Sequence, residues 1–286
     1  MSYSAKAIQV GKNIDQIRVN HLAFKETLEG IGRVIQLGNS LQHPFGACVI
    51  APGGAGKSLL IESVRRNVCN WPFLRPHSVL VASLKEAPTV GQIQEDLLAD
   101  FNYAIPPRAG TKTNAAHFGM LVRAIEQHDI QLIALDEYQH VFRADKGGAA
   151  HSGINDWVKR LMTQTCRPVV LVGTELLDNF EHGDSQVTTR VSSIFRLPVF
   201  SNDENWRGVI ASYVAAAKEV DLSELPAYAT LIFKATQGVM RTLKTLIMEV
   251  AMIAVDANDT KVERKHLRLA FQRLVGPAST RDNPFV

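Results

Sequence analysis

Residues 51–58, with the sequence Ala-Pro-Gly-Gly-Ala-Gly-Lys-Ser, restrict the fold more than any other part of the chain. Their glycines allow the backbone to curl so that successive N–H groups point at one anion. An apolar run precedes the stretch and a helical pattern follows it, and a helix that begins there adds its dipole to the anion site. The sequence therefore predicts a phosphate-binding loop for ATP or GTP in an α/β fold.

The residue types within this loop suit a bound triphosphate. Lys57 can reach the outer phosphates, and the Ser58 hydroxyl can ligate Mg²⁺. Ala51 stands where the usual pattern G-x-x-x-x-G-K-S/T has its first glycine, so the match has one departure. A glycine-rich turn before a core helix is the weaker alternative, because a strand and a helix flank the loop as the motif demands. The loop residues predicted to bind nucleotide are Gly53, Gly54, Ala55, Gly56, Lys57, Ser58 and Leu59.

A second apolar run, at 130–135, ends in the two acids Asp136 and Glu137. Asp136 at a strand end can hold Mg²⁺ and belongs to the predicted cofactor site. Glu137 can orient or deprotonate the water that attacks the γ-phosphate. The pair lies far enough after the loop to fall on a later parallel strand, and ligands bind at the carboxyl ends of such strands. ATP and Mg²⁺ are therefore the expected cofactors.

Apolar runs alternate with helical patterns up to about residue 200, which is typical of a parallel sheet covered on both faces. Beyond Phe200 only helical patterns follow. We expect a polar N-terminal lead-in and a helix at 1–41, a P-loop α/β core at 42–201, a helical lid at 202–275 and a flexible tail at 276–286. The five expected strands lie at 46–51, 78–83, 130–135, 168–172 and 194–199.

Composition excludes few classes of protein. The 286 residues carry a net charge of +3, which permits contact with nucleic acid but does not require it. The three cysteines, Cys48, Cys69 and Cys166, form neither a metal motif nor a disulfide framework, which fits a reducing cytoplasm. There is no apolar run of about 18 residues, so we expect no membrane span.

Four further residues are candidates for the functional site, and each also has a purely structural interpretation. Thr174 follows the strand at 168–172, where its hydroxyl can contact the γ-phosphate or can equally cap the next helix. Arg190 could act in trans on a neighbouring subunit's ATP, although a surface salt bridge is the alternative and Arg196 is a rival. Arg241 could fold back onto the phosphates, although lone arginines at helix starts are usually solvated. We interpret His140 as a local hydrogen-bonding residue rather than a metal ligand.

The order of these motifs resembles the order of sites in AAA+ ATPases, where they are called Walker A, Walker B, sensor 1, arginine finger and sensor 2. More closely, the chain resembles the TniB/TnsC group of transposition ATPases over about residues 14–275. The matching pieces are Ile17-Arg18-Val19-Asn20-His21 with Phe24, Asp136-Glu137-Tyr138-Gln139-His140, Val172-Gly173-Thr174, Asp184-Ser185-Gln186 followed by Arg190, and Leu197-Pro198. Ala51 departs from the family pattern, as does Phe200, where many relatives have a tryptophan.

The resemblance implies a P-loop AAA+ domain with a five-stranded parallel sheet, followed by a C-terminal helical lid. It implies an ATPase of the bacterial cytoplasm whose catalytic residues are Glu137, Thr174, Arg190 and Arg241. Such proteins form a homo-oligomer, a ring or a helical filament, on double-stranded DNA. They recruit the transposase and link it to a TniQ-type target-selection protein, and ATP hydrolysis controls their disassembly.

Two other functions remain open at this point. A helicase loader or replication-initiation ATPase shares the AAA+ core, but initiators commonly carry a helix-turn-helix after the lid, and only about ten residues follow Val275. A signalling or secretion-linked ATPase would have a protein partner alone. Binding to duplex DNA in the presence of nucleotide distinguishes these classes.

Basic and polar loops are the candidates for contact with DNA phosphates, without readout of bases. A solvated loop is the alternative for each residue. The predicted contacts are Lys112, Thr113, Arg143 and Lys146. The last helical segment carries a basic stripe, for which we favour a solvated helix face, formed by Lys261, Arg264, Lys265, Arg268 and Arg273.

Overall fold

The chain folds into two compact units, which we call the core unit and the lid unit. The core unit is Ala23–Leu197, and the lid unit combines Met1–Leu22 with Pro198–Val286. This division differs from the four expected parts, because the first residues of the chain belong with its C-terminal helices. The computed structural model describes residues 2–41, 45–101, 111–143, 149–180 and 189–286, with the backbone alone described at 111–113, 143, 149–152 and 179–180.

The five expected strands are all present at their predicted places. Short 3-10 helices lie at Glu175–Phe180 and Leu225–Tyr228. In chain order the helices and strands are α1 (Ala5–Gln16), α2 (Leu22–Leu41), β1 (Gly46–Ile50), α3 (Lys57–Arg65), β2 (Val79–Ser83), α4 (Val90–Ala99), α5 (Thr111–Gln127), β3 (Leu132–Asp136), α6 (Gln139–Arg143), α7 (Ala149–Thr165), β4 (Val169–Gly173), β5 (Ser193–Arg196), α8 (Glu204–Ala216), α9 (Ala229–Thr236), α10 (Met240–Asp256) and α11 (Arg264–Val275).

The sheet of the core unit has the strand order β2-β3-β4-β1-β5, and every strand pair is parallel. The chain leaves β1 towards one edge of the sheet, returns through β3 and β4, and then adds β5 on the other side of β1. In the register, Ile50 at the end of β1 lies opposite Gly173 and Arg196. The carboxyl ends of the strands therefore share one edge, where ligands of such sheets bind.

Both faces of the sheet are buried, which explains why its strands read as nearly continuous apolar runs. On one face, Cys48 and Ile50 of β1 join a core that also includes Leu97 of α4 and Leu121 of α5. On the other face, β1 contributes to a second core, which includes residues of α2 and α3. Successive residues of a strand point to opposite faces, so neither face leaves room for polar positions.

The N-terminal residues form helix α1 rather than the polar lead-in that the sequence predicted. The helix begins after Ser4, whose hydroxyl accepts a hydrogen bond from the N–H of Ala7 at 3.1 Å. Its buried residues Ala7, Val10 and Ile14 are spaced for one helical face, and α1 packs along α10. The sequence pattern is weak because part of this face consists of small residues, such as Gly11, which lies against Met252.

The C-terminal residues pack on the lid unit and are not the flexible tail that the sequence predicted. Asn283 donates a side-chain hydrogen bond to the carbonyl of Arg268 at 2.9 Å. Phe285 is only 2% exposed, and its ring centroid lies 6.2 Å from that of Phe271 in α11. The buried aromatic ring anchors the segment, because its apolar surface leaves water when the segment docks.

We predict that Phe285→Ala lowers the free energy of unfolding of the lid unit by about 3 kcal/mol, since it removes a buried aromatic ring and leaves a cavity. Val286→Ala is the matched control, because Val286 is 80% exposed, and it should change the free energy by less than about 0.5 kcal/mol. Urea denaturation followed by tryptophan fluorescence, in a background where Trp71 and Trp157 are replaced by Phe so that Trp206 of the lid core is the reporter, measures both effects. Equal midpoints for the two variants would contradict the docked position of Phe285.

Candidate nucleotide-binding site

The candidate site lies where the carboxyl ends of β1, β3 and β4 meet. The N–H of Ala51, just after β1, donates to the carbonyl of Gly173 at the end of β4 at 2.9 Å. The N–H of Tyr138, just after β3, donates to the carbonyl of Val172 at 2.9 Å. These two bonds fix the loop at 51–58 and the acids at 136–137 to the same strand, so the two halves of the predicted site are brought together.

The glycine loop has the backbone geometry of an anion site. Gly54 and Gly56 lie in the left-handed region, with φ of 82° and 107°, which glycine adopts without strain. A Cβ atom added to Gly53 or Gly56 would meet nothing within 4 Å, so the loop faces open space there. Gly56 precedes α3 without a side-chain cap, and the first-turn N–H groups of a helix need partners from outside it. A phosphate group fits these donors.

The structure accounts for Ala51 at the position of the missing first glycine. Ala51 is fully buried, and its φ is negative, so its backbone conformation is open to any L-residue. The positive φ values of the loop fall instead on Gly54 and Gly56. The departure from the motif therefore leaves the loop conformation intact.

The side chain of Lys57 folds back onto the loop that it follows. It is 8% exposed, and its Nζ donates to the carbonyl of Ala51 at 2.9 Å and to that of Pro52 at 3.4 Å. An ammonium that donates to two neutral carbonyls gains a stronger, charged acceptor when a phosphate oxygen is near. Ser58, the next residue, is exposed in the first turn of α3, whereas Ala55 and Leu59 contribute to the hydrophobic core under the loop.

Asp136 ends β3 as a buried carboxyl group. Burial raises the pKa of Asp136, and this effect is opposed by a hydrogen bond from the N–H of Glu137 to Oδ1 at 2.8 Å and by the positive charge of Lys57. Oxygen ligands such as this carboxylate and the Ser58 hydroxyl are the type that Mg²⁺ prefers. The donor set therefore fits a magnesium ion bound with a nucleotide.

Gln139 links the two residues that were predicted to act on the γ-phosphate. It is 3% exposed, its Nε2 donates to Oε2 of Glu137, and its Oε1 accepts from the N–H of Thr174 at 3.2 Å. The hydroxyl oxygen of Thr174 is buried and has no hydrogen-bond partner in the described part of the chain. Gln139 belongs to one of the segments that resemble the TniB/TnsC group, but the sequence analysis assigned it no role, because its contact with Thr174 joins residues that are far apart in the chain.

The sequence over residues 17–202 matches the family model for the bacterial TniB protein. This match covers the glycine loop, the acidic pair and Thr174. The chain belongs to the TniB family. Among curated proteins, none matches the sequence.

Solved structures show that this TniB-family chain has the AAA+ fold. ORC2 of Aeropyrum pernix, in ADPNP–ADP complexes, is 15% identical with a TM-score of 0.69, over 93% of this chain and 70% of that one. ORC1 of the same organism, in complex with DNA, is 15% identical with a TM-score of 0.64, over 88% and 65%. A variant of Thermotoga maritima RuvB is 14% identical with a TM-score of 0.53, over 92% and 71%.

Arg190 lies near the amino ends of the strands, whereas the glycine loop of the TniB-family chain follows their carboxyl ends. Its carbonyl is within 3.2 Å of the place where a Cβ on Gly46, the first residue of β1, would stand. The length of β1 therefore separates Arg190 from the loop, and four residue steps in a strand span about 13 Å. Its rival Arg196 ends β5 opposite Ile50 and forms an ion pair with Asp178.

Arg241 belongs to the lid unit and is exposed in the first turn of α10. The turn before it depends on Gly238, which has φ of 71° and would place an added Cβ 2.1 Å from the carbonyl oxygen of Phe200. Phe200 in turn packs edge-on against His21, whose pKa is lowered by burial. Phe200 thus forms an aromatic contact within the lid unit.

The predicted DNA contacts Lys112, Thr113, Arg143 and Lys146 have side chains that lie outside the described residues. Three of the five residues in the basic stripe at the last helical segment form ion pairs, since Lys261 pairs with Glu224 at 2.7 Å, Lys265 with Asp259 at 2.8 Å and Arg273 with Glu249 at 3.6 Å. This pairing supports the interpretation of the stripe as a solvated helix face.

Two smaller expectations can be compared with the described residues. His140 has a buried Nδ1 without a hydrogen-bond partner among them, so the expected local hydrogen bond of its ring is not seen at that atom. No helix in the described ranges combines the length and the apolar character that crossing a membrane requires.

Proposed function

We propose that this TniB-family chain is an ATPase of the bacterial cytoplasm that regulates DNA transposition. In this proposal it binds ATP and Mg²⁺ and forms a ring or helical filament on double-stranded DNA. It recruits the transposase, links it to a TniQ-type target-selection protein, and disassembles when ATP is hydrolysed. The observation that carries the proposal is the match to the TniB family over the same residues that form the nucleotide site.

The residues of the site divide the work of binding the triphosphate. Lys57 bonds to the outer phosphates, and the N–H groups of the loop and of α3 surround them. Ser58 and Asp136 hold the metal, and Leu59 completes the first turn of the helix. When bound, Mg²⁺ supplies positive charge that offsets the charge of the phosphate oxygens. These interactions place the γ-phosphate towards the ends of β3 and β4.

Hydrolysis needs a group that takes a proton from the attacking water. The water oxygen forms a bond to the γ-phosphorus, the bond to the bridging oxygen of ADP breaks, and the carboxylate of Glu137 accepts the proton. The orphaned hydroxyl of Thr174 supports its role beside this reaction, because a buried hydroxyl without a partner gains a hydrogen bond when phosphate or water arrives. The carboxylate of Glu137 and the backbone N–H of Thr174 both form hydrogen bonds with the side chain of Gln139, so the two residues lie on either side of one amide.

Arg190 fits a role on a neighbouring subunit's ATP better than on its own. Its position at the amino end of the sheet keeps it from the glycine loop of its own chain. An arginine supplied in trans stabilises the charge of the transferring phosphoryl group, which makes hydrolysis depend on assembly. Arg241, exposed at the start of α10, completes the proposed catalytic set from the lid unit.

DNA binding is proposed to depend on assembly as well. A net charge of +3 is too small for tight binding by one chain. A filament repeats each phosphate contact in every subunit, and linked contacts raise the overall affinity without any new interaction. Lys112, Thr113, Arg143 and Lys146 remain the proposed contacts, although Lys112 and Thr113 lie in the first turn of α5 and Arg143 ends α6, rather than in the loops that the sequence predicted.

A replication-initiation or helicase-loader ATPase is the second candidate function. It shares the AAA+ core, and the likeness to ORC2 over 93% of this chain is compatible with it, but at 15% identity that likeness shows the fold alone. The TniB match favours transposition instead. Stimulation of a purified transposase, compared with loading of a replicative helicase on the same DNA, decides between them.

Co-sedimentation with duplex DNA, followed by electron microscopy, tests the proposed assembly. With a non-hydrolysable ATP analogue we expect the chain to pellet with DNA as rings or filaments, and with ADP to stay in the supernatant. Lys57→Ala should fail to pellet in either nucleotide. The absence of any oligomer on duplex DNA with the analogue present would exclude the proposed mode of action.

We predict that Ala51→Gly changes the affinity for ATP less than twofold and destabilises the chain by about 1 kcal/mol. The substitution removes a buried methyl group and adds backbone freedom, at a position whose φ does not need glycine. A fluorescent ATP analogue measures the affinity, and urea denaturation measures the stability. A tenfold gain in affinity would show that the missing glycine impairs the loop.

A further inference from the structure

The side chain of Gln139 joins two segments of chain that carry different candidate reacting groups. One end of its amide meets the carboxylate of Glu137, which follows β3, and the other end meets the backbone of Thr174, which follows β4. Gln139 itself lies in the first turn of α6 and is 3% exposed. A fully buried amide held at both ends has one position, so it fixes the distance between these two segments.

The orientation of the amide follows from its partners. The N–H of Thr174 can only donate, so it must face the carbonyl oxygen of Gln139. The carboxylate of Glu137 can only accept when ionised, so it must face the NH₂ group. The reversed amide would set two donors against each other at one end and two acceptors at the other, which costs free energy in a buried site.

The neighbouring backbone is shaped around this amide. A Cβ atom on Gly173 would come within 2.7 Å of Oε1 of Gln139 and 2.3 Å of the side chain of Leu177. Only glycine at this position leaves room for the amide oxygen beside β4. Glu137 has φ of 55°, an uncommon value for a residue with a side chain, and its carboxylate accepts the hydrogen bond from Gln139.

We propose that Gln139 is a positioning residue for ATP hydrolysis. Gln139 donates a hydrogen bond to Oε2 of Glu137 and so fixes the orientation of the carboxylate relative to Thr174. The other carboxylate oxygen, Oε1 of Glu137, is then free to take the proton of the attacking water. A displacement of Thr174 by the γ-phosphate is then transmitted through one rigid amide to the carboxylate. This inference rests on the proposed ATPase function and adds a residue to it.

Two variants of Gln139 and one control variant of Tyr138 distinguish a positioning role of Gln139 from a contribution to stability alone. Gln139→Ala removes both contacts. Gln139→Glu keeps an oxygen that can accept from the N–H of Thr174, but when ionised it has no proton to donate to Glu137. The matched control is Tyr138→Phe, since the buried hydroxyl of Tyr138 bonds instead to Oδ1 of Asn155 at 2.8 Å.

Steady-state turnover of ATP with duplex DNA present is the main measurement, together with the number of ATP molecules bound per chain. We expect both Gln139 variants to lower kcat about tenfold with KM changed less than twofold, because a hydrogen bond to a charged group is lost. ATP binding should remain at the wild-type stoichiometry. Tyr138→Phe should keep kcat within about twofold of wild type.

A double variant adds a readout that a structural role would not produce. If Gln139 acts through the carboxylate of Glu137, then Gln139→Ala added to Glu137→Gln lowers kcat no further, since the group it positions is already gone. Additive losses would overturn the inference. So would a fall in kcat matched by an equal fall in bound ATP, or an equal loss in Tyr138→Phe.

The outcomes distinguish this inference from the proposed function. If wild-type turnover does not exceed that of Lys57→Ala, the proposed ATPase function fails and the role of Gln139 falls with it. If wild type exceeds Lys57→Ala and the Gln139 variants turn over ATP as wild type does, only the inference fails. Should Gln139→Ala not fold, Gln139→Glu decides alone, because it is isosteric with the wild-type residue.

Discussion

Lys57→Ala is expected to weaken the binding of ATP about a hundredfold. The ammonium of Lys57 lies at the mouth of the glycine loop, where it already bonds to the carbonyl of Ala51 at 2.9 Å. A charge-assisted hydrogen bond to phosphate contributes about 1.5–3 kcal/mol, and the upper part of this range corresponds to a hundredfold change in Kd. Titration with a fluorescent ATP analogue, or calorimetry, measures the loss.

Lys85→Ala is the matched control for this prediction. Lys85 follows β2 at the same edge of the sheet, but it is mostly exposed and pairs with Asp96 at 3.6 Å. It removes the same charge from the core unit, so its Kd for ATP should stay within about twofold of wild type. The unfolding midpoint of Lys57→Ala without nucleotide should also stay near that of wild type. A Kd within twofold of wild type for Lys57→Ala would place the phosphates elsewhere.

Glu137→Gln is expected to bind ATP normally and to hydrolyse it at least about a hundredfold more slowly. The amide has nearly the shape of the carboxylate and can still accept a hydrogen bond from Gln139, but it cannot take a proton from water. General-base catalysis contributes about 10²–10⁴-fold to rates. Single-turnover hydrolysis measures the chemical step, and the Kd for ATP should change less than twofold.

The same variant should form assemblies on DNA that persist in the presence of ATP, because hydrolysis is the proposed trigger of disassembly. Glu175→Gln is the control, since Glu175 is an exposed acid that directly follows Thr174. It should hydrolyse ATP at the wild-type rate and release DNA on the same time course. Equal turnover by Glu137→Gln and wild type would remove Glu137 from its proposed role.

The sheet and the glycine loop were predictable because their signals are local. Each strand is an apolar run bounded by polar residues, and the loop is a short contiguous motif, so neighbouring residues alone specify them. The acidic pair was recognisable for the same reason, since it ends the run of β3. The sequence showed Ala51 as a departure from the motif, but only the structure shows that its φ is one that any L-residue adopts, so that the loop conformation does not need glycine there.

The features that escaped prediction depend on contacts between distant parts of the chain. The proposed role of Gln139 depends on its hydrogen bond with Thr174, which lies 35 positions away, and the residues next to Gln139 in the sequence do not predict that bond. Helix α1 was missed because its face is completed by α10, and a helix with few large apolar residues gives a weak pattern by itself. Phe285 looked like part of a loose end because its partner Phe271 lies in a different element.

The pairing of α1 with α10 has a consequence for the order in which the chain can fold during synthesis. Helix α1 leaves the ribosome before α10, because Met240, where α10 begins, follows only after roughly 220 further residues. At about 5–20 residues per second this takes on the order of 10 to 50 s. Until then Val10 and Ile14 lack the part of their cover that α10 supplies, although the last strand of the core unit, which ends at Arg196, is complete before α10 appears. Nascent α1 is thus exposed to chaperones and proteases until α10 follows it.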